Sequence, residues 1–214
     1  MKFYGYHRSS AVHRCRIAFN LKGVTPEFVP VHLRKGEQKA EPFLGLNPQG
    51  LVPALETDGR ILTQSLAIIE WLDETIPQPP VLPRDPLDRA YVRALAFSIA
   101  CDIHPLQNLR VLRELKARFN QDQAGLDAWC RRWIEPGLAA IEATVGKSGT
   151  SGKFCFGDTP TLADICLVPQ LYSASRFGAD TSKLAHLTRI LTSCNAHPAI
   201  AAAHPSLQPG ADDA

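Results

Sequence analysis

The chain has 214 residues, 45% hydrophobic and 21% charged, enough apolar material for a real core and too much for a disordered chain. Its formal net charge of +2 is too near neutral to argue for nucleic acid or an anionic membrane surface. No apolar run approaches the ~20 residues that a membrane-spanning helix needs, and the opening MKFYGYHRSS lacks the apolar core of a signal peptide, so a cytoplasmic location is the expectation.

Lys2–Gly5 reads as a short strand and Tyr6–Ser10 as a turn. From Ala11 to Leu21 the residues Cys15, Ala18 and Phe19 keep helical spacing until Gly23, a helix stop. Glu27–Val31 is a second strand, which Pro30 confines to a sheet edge because proline has no N–H for the ladder. Lys35–Phe43 is polar, a loop or an irregular helix. Pro53 must likewise sit at a strand start or on an edge, which leaves the backbone of Val52 free to bind something else. Ala54–Thr57 and Arg60–Thr63 flank Asp58-Gly59, a strong hairpin signal because both turn residues accept positive φ. Leu66, Ile69 and Leu72 then recur at helical spacing, with Ser65 at their head as a cap. The order is β-α-β followed by β-β-α, a parallel crossover and an antiparallel hairpin with helices covering the sheet.

The stretch PQPPVLPRDP, residues 77–86, cannot be helical and reads as a semi-rigid linker. Beyond it no strand is expected, only helices over 87–118, 123–145, 161–175 and 183–194. Thr161-Leu-Ala-Asp164 has the form of a capping box, and Pro205 and Pro209 suggest a loose tail. The expected domains are therefore 1–80 and 87–214. Cys15, Cys101, Cys130, Cys155, Cys166 and Cys194 form no C-x-x-C pair. Reduced thiols, mostly buried, are expected, and no metal site.

An α/β thioredoxin-like N-terminal domain joined by a proline linker to an all-α C-terminal domain resembles a cytosolic glutathione transferase, over essentially the whole chain. The resemblance is most specific to the zeta class of maleylacetoacetate and maleylpyruvate isomerases, whose signature is S-S-C-x-x-R-x-R-I-A. Residues 9–18 match it at Ser9, Ser10, Arg14, Arg16, Ile17 and Ala18, but Ala11 replaces the cysteine. LNPQGLVPAL and QSLAIIEWL match the family's glutathione site, and residues 102–110, DIHPLQNLR, resemble the helix that lines the acceptor pocket in bacterial members.

From the residues alone, Ser9 or Ser10 caps the first helix. The resemblance implies more: glutathione as cofactor, Ser9 as partner of its thiolate with Ser10 assisting, a cis bond before Pro53, Val52 pairing through its backbone with the cysteinyl part, and Gln64 and Ser65 holding the γ-glutamyl carboxylate. A helix N-terminus suits both anions. The implied reaction is conversion of maleylacetoacetate to fumarylacetoacetate by reversible thiolate addition. The dicarboxylate substrate needs cations, for which the resemblance offers Arg8, His104, Arg110 and Arg176. His104, Gln107 and Arg110 would form a drifting ridge on one helix, disturbed by Pro105. Without the family, His104 reads equally as a structural histidine and Arg176 as a surface arginine. A homodimer is implied too. The alternatives are maleylpyruvate isomerisation, towards which Ala11 tilts, a broader glutathione transferase or dehalogenase, and a non-catalytic interaction module. Ser9, Gln64, Ser65 and the arginines together argue against the last.

Overall fold

The computed structural model describes residues 1–211. The chain divides into two compact units, one of residues 1–80 together with the segment starting at His197, the other of residues 81–196.

In the first unit, β1 (Lys2–Gly5), α1 (Ser10–Leu21) and β2 (Glu27–Pro30) are followed by the short α2 (Glu41–Leu44), the hairpin β3 (Ala54–Thr57) and β4 (Arg60–Thr63), and α3 (Ser65–Thr75). The strands lie in the order β2-β1-β3-β4. β1 runs parallel to β2 and antiparallel to β3, and β3 is antiparallel to β4. Pro30 thus sits on an edge strand, and Asp58 (φ 49°) and Gly59 (φ 72°) make the expected turn. Side chains alternate across the pleat. Phe3 and Leu55 are fully buried with Ile17 of α1 and Ile68, Ile69 and Leu72 of α3, and Phe3 meets Phe19 edge to face at 4.9 Å. Tyr4 and Ala54, of opposite parity, join Val31 and Phe43 in a second cluster. Each fully buried Leu, Ile or Phe contributes roughly 1.5–3 kcal/mol.

The sequence places everything after residue 87 in the helical domain. The structure returns α9 (Pro198–Ala201) and the described residues after it to the first unit. Two side chains of α1 make the connection: Asn20 Nδ2 donates to the Ala199 carbonyl at 2.9 Å and Arg16 Nε to the Ala203 carbonyl at 3.2 Å. Ile200 and Ala203 are buried. Pairing partners so distant in sequence leave no local signature, which is why prolines alone suggested a tail.

In the second unit, α4 (Pro86–Phe97) starts on an Asp85 cap that accepts from the amides of Leu87 and Asp88. The expected continuous helix over 87–118 is broken. A π-helical turn (Ser98–Ile103) and a 3-10 turn (His104–Gln107) separate α4 from α5 (Leu109–Phe119), which restarts on an Asn108 cap. Pro105 lacks the N–H that a continuous ladder requires. α6 (Gln123–Ser148), α7 (Leu162–Arg176) and α8 (Ala185–Ala196) complete the unit. The Thr161–Asp164 capping box is present. Among the described residues no helix is long and apolar enough to cross a membrane.

One buried cation closes the first unit. The Lys22 side chain is 0% exposed, and its Nζ donates to Asp73 Oδ1 at 2.6 Å, the Ile76 carbonyl at 2.7 Å and the Pro79 carbonyl at 2.6 Å. It fastens the end of α1 to the end of α3 and to the start of the linker. Removing one partner strands a buried charge, typically at a cost of about 3–5 kcal/mol. Lys22→Ala should therefore lower stability by about that amount in urea titration, and Lys22→Met with Asp73→Leu should recover part of it, since the carboxylate is then no longer stranded.

Candidate active site

The sheet register gathers the sequence-predicted residues of the first unit. Tyr4 pairs with Ala54, and Ala54 with Thr63. Because both pairings are antiparallel, the C-terminal ends of β1 and β4 lie beside the N-terminal end of β3. Arg8, Ser9 and Ser10 follow β1, Val52 and Pro53 precede β3, and Gln64 and Ser65 follow β4. All seven therefore belong to one end of the sheet.

Ser9 closes a tight turn by donating its amide to the Tyr6 carbonyl at 3.0 Å. Its extended backbone (φ −70°, ψ 123°) makes it the N-cap of α1, and its Oγ accepts from the Val12 amide at 3.4 Å. A hydroxyl has one donor and two acceptor positions. Capping uses an acceptor, so the cap leaves the Ser9 O–H to donate elsewhere, and the two readings of Ser9 are chemically compatible. Ser10 opens α1 and Ala11 follows it, both half-buried. Arg8 is half-buried within the turn, and its charge, after burial, helps hold His7 below the usual histidine pKa.

The Val52–Pro53 peptide is cis. The loop before it is shaped by Asn47, whose Nδ2 donates to the Leu51 carbonyl at 2.7 Å and whose Oδ1 accepts from the Gln49 amide at 3.1 Å. Gly50 takes φ +59°, and a Cβ there would lie 2.7 Å from the Gln38 carbonyl oxygen. Gln64, at the head of α3, has φ 68° and ψ 116° and makes no side-chain cap. Its Nε2 donates to Gln49 Oε1 at 3.0 Å.

Sequence reasoning missed Arg14 as a site residue. It is 2% exposed, its Nη1 donates to Ser65 Oγ at 3.4 Å, and its Nε and Nη2 have no partner. Ser65, 6% exposed, begins α3. An uncapped helix start, a hydroxyl and a buried guanidinium with unused donors are groups chemically suited to a carboxylate. The signal was available: residues 10–21 place a basic side chain among core-facing residues with no acid in the helix.

In the second unit the ridge expected from His104, Gln107 and Arg110 does not form. His104 and Gln107 lie in the 3-10 turn and Arg110 in the first turn of α5. Gln107 is buried and donates from Nε2 to Gln170 Oε1 at 2.8 Å. His104 is half-buried and Arg110 exposed. Arg176 ends α7, exposed, with its guanidinium carbon 5.9 Å from the Tyr172 ring centre and 5.4 Å from that of Phe177. Five cysteines are buried and Cys101 is exposed, all reduced. Burial pushes the Cys130 thiol up to about 12.

The family model of the glutathione S-transferase N-terminal domain matches residues 8–75, and that of the C-terminal domain residues 123–203. The chain belongs to the glutathione S-transferase family. Maleylacetoacetate isomerase of Pseudomonas aeruginosa is 46% identical over 98% of both chains. A solved bacterial maleylpyruvate isomerase, a zeta-class glutathione S-transferase, is 47% identical with a TM-score of 0.96, over 98% of this chain and 99% of that one. Maleylacetoacetate isomerase of Methylobacterium extorquens, solved with bound malonate and glutathione, is 42% identical with a TM-score of 0.95, over 99% of both.

Gln64 occupies a backbone region that ordinary residues avoid, a strain of about 1–3 kcal/mol. Glycine relieves it but adds about 0.5–1 kcal/mol of unfolded-state entropy. Gln64→Gly should therefore stabilise the protein by about 1 kcal/mol in urea titration, whereas Gln64→Ala should give no gain.

Proposed function

We propose that this protein is a glutathione-dependent cis–trans isomerase of maleyl dicarboxylates. Maleylacetoacetate is the leading substrate, converted to fumarylacetoacetate, and maleylpyruvate is the alternative. The observation that carries the reading is the buried, incompletely bonded Arg14 on Ser65 at the start of α3, at the same end of the sheet as the Ser9 hydroxyl. That arrangement suits a tripeptide thiol that also bears an α-amino acid carboxylate. The isomerase names of relatives aligned over nearly the whole chain support the same assignment.

Bound glutathione supplies a thiolate whose reversible addition to the cis double bond allows rotation about it. The role of the chain is to hold and polarise. Ser9 donates its O–H towards the sulfur and Ser10 assists, while the start of α1 favours negative charge there. Val52 offers its backbone to the cysteinyl unit. Ser65, with Arg14 behind it, and the first amides of α3 receive the γ-glutamyl carboxylate, oriented by the Gln64 carboxamide. In the first unit Arg8, and in the second His104, Arg110 and Arg176, are the groups assigned to the carboxylates of the substrate, where positive charge also stabilises the charge that develops during addition.

The test is an assay of both maleyl acids, with glutathione omitted as control. Isomerisation of at least one, strictly dependent on glutathione, is expected, and turnover of neither would remove the proposal. Ser9→Ala should lose turnover at neutral pH and regain part of it as pH rises, because a less acidic thiol ionises later. Arg176→Ala should reduce kcat/KM by roughly ten- to a hundredfold, as expected for one charge-assisted bond, without changing glutathione affinity. We further propose a cytoplasmic homodimer. Sedimentation at micromolar concentration is expected to show twice the chain mass, and a monomer would refute it.

A further inference from the structure

Arg16 is assigned no role by the reading above, yet it is bonded to the turn that carries Ser9. It is 7% exposed, and the described residues give it no carboxylate partner. Its Nη2 donates to the His7 carbonyl at 2.9 Å, its Nε to the Ala203 carbonyl at 3.2 Å, and its Nη1 has no partner. Burial lowers its pKa to about 10, so the side chain stays cationic at neutral pH. The His7 carbonyl lies inside the turn closed by the Ser9 amide on the Tyr6 carbonyl. The Ala203 carbonyl comes from the far end of the sequence, delivered by α9, which is tied to α1 through Asn20 and the Ala199 carbonyl. One guanidinium therefore spans the Ser9 turn and the C-terminal segment.

We infer that Arg16 is a positioning residue for Ser9, and that the C-terminal segment from His197 to Ala203 is the strap against which it is braced. The inference rests on the proposed role of Ser9 towards the glutathione thiol. A buried cation satisfied by neutral carbonyls is a costly way to fill a core position, whereas a planar fork with fixed donor directions fixes two backbone segments at once. The turn sets where the Ser9 Cα and Cβ sit, and the cap bond to Val12, long at 3.4 Å, adds little to hold the side chain in place. Arg8, His32 and Arg34 are the other charges near His7, and Arg16 donates to the His7 carbonyl within the turn.

The test uses the full chain with Arg16→Lys and Arg16→Gln, each with Ser9 intact and with Ser9→Ala. The first readout is ionisation of bound glutathione, followed by thiolate absorbance against pH. The second is hydrogen exchange of the Ser9 amide in the ligand-free protein. With Ser9 present, either variant should lower the bound thiolate fraction at neutral pH about three- to tenfold, the scale of one misdirected hydrogen bond. Exchange at Ser9 should accelerate, and on the Ser9→Ala background the thiolate effect should vanish. If Arg16→Gln does not fold, Arg16→Lys decides the matter alone, since it keeps the charge and loses the fork. An unchanged thiolate fraction, or a loss that persists without the Ser9 hydroxyl, overturns the inference. Failure of the wild type to bind glutathione would instead overturn the functional reading on which it rests.

Discussion

The antiparallel register of β1, β3 and β4 is the constraint on which the first unit depends. With Tyr4 opposite Ala54 and Ala54 opposite Thr63, three connections that are far apart in sequence emerge together. One starts α1, one enters β3 and one starts α3. A slip of one residue would exchange Phe3 and Leu55 for Tyr4 and Ala54 on the face that meets the helices. Burial of Phe3, Leu55, Ile17 and Leu72 therefore fixes the register, and the register fixes which polar residues share a sheet end. Hydrophobic packing and placement of the site are one event seen from two sides.

Three buried cations in this unit show how polar groups in a core divide between structure and function. Lys22 is completely satisfied by a carboxylate and two carbonyls, and its chemistry ends within the protein. Arg16 donates to two carbonyls from segments far apart in sequence and keeps Nη1 unused, the arrangement of a brace. Arg14 has one hydroxyl partner and two unused donors. A buried guanidinium left in that state is destabilising unless something anionic completes it. The partners of the three differ in kind: a carboxylate with two carbonyls for Lys22, two carbonyls for Arg16 and one hydroxyl for Arg14.

The local structure around His104 and Arg110 in the second unit was read less well. A helix passing through His104 and Arg110 assumes an unbroken ladder, and Pro105 with the π-helical turn before it removes that assumption. Gln107, expected on the ridge, turns inward to the Gln170 amide. The general effect of proline was legible, but the direction of each side chain after the break depends on what packs against it, and local spacing carries no information about that.

The sequence by itself determined the elements whose causes are local. The Asp58-Gly59 turn, the edge position imposed by Pro30, the stop at Gly23, the Thr161–Asp164 box and the proline linker each follow from the dihedral range or hydrogen-bonding capacity of a few adjacent residues. Motif resemblance added the names of Ser9, Val52, Gln64 and Ser65. Tertiary structure alone decided which of these share a sheet end, that the segment after His197 belongs with the first unit, and that Arg14 and Arg16 face a hydroxyl and two carbonyls rather than acids. The Arg14–Ser65 and Arg16–Ala203 bonds join positions 51 and 187 apart, and chain closure over such distances is set by global packing, not by the preferences of neighbouring residues.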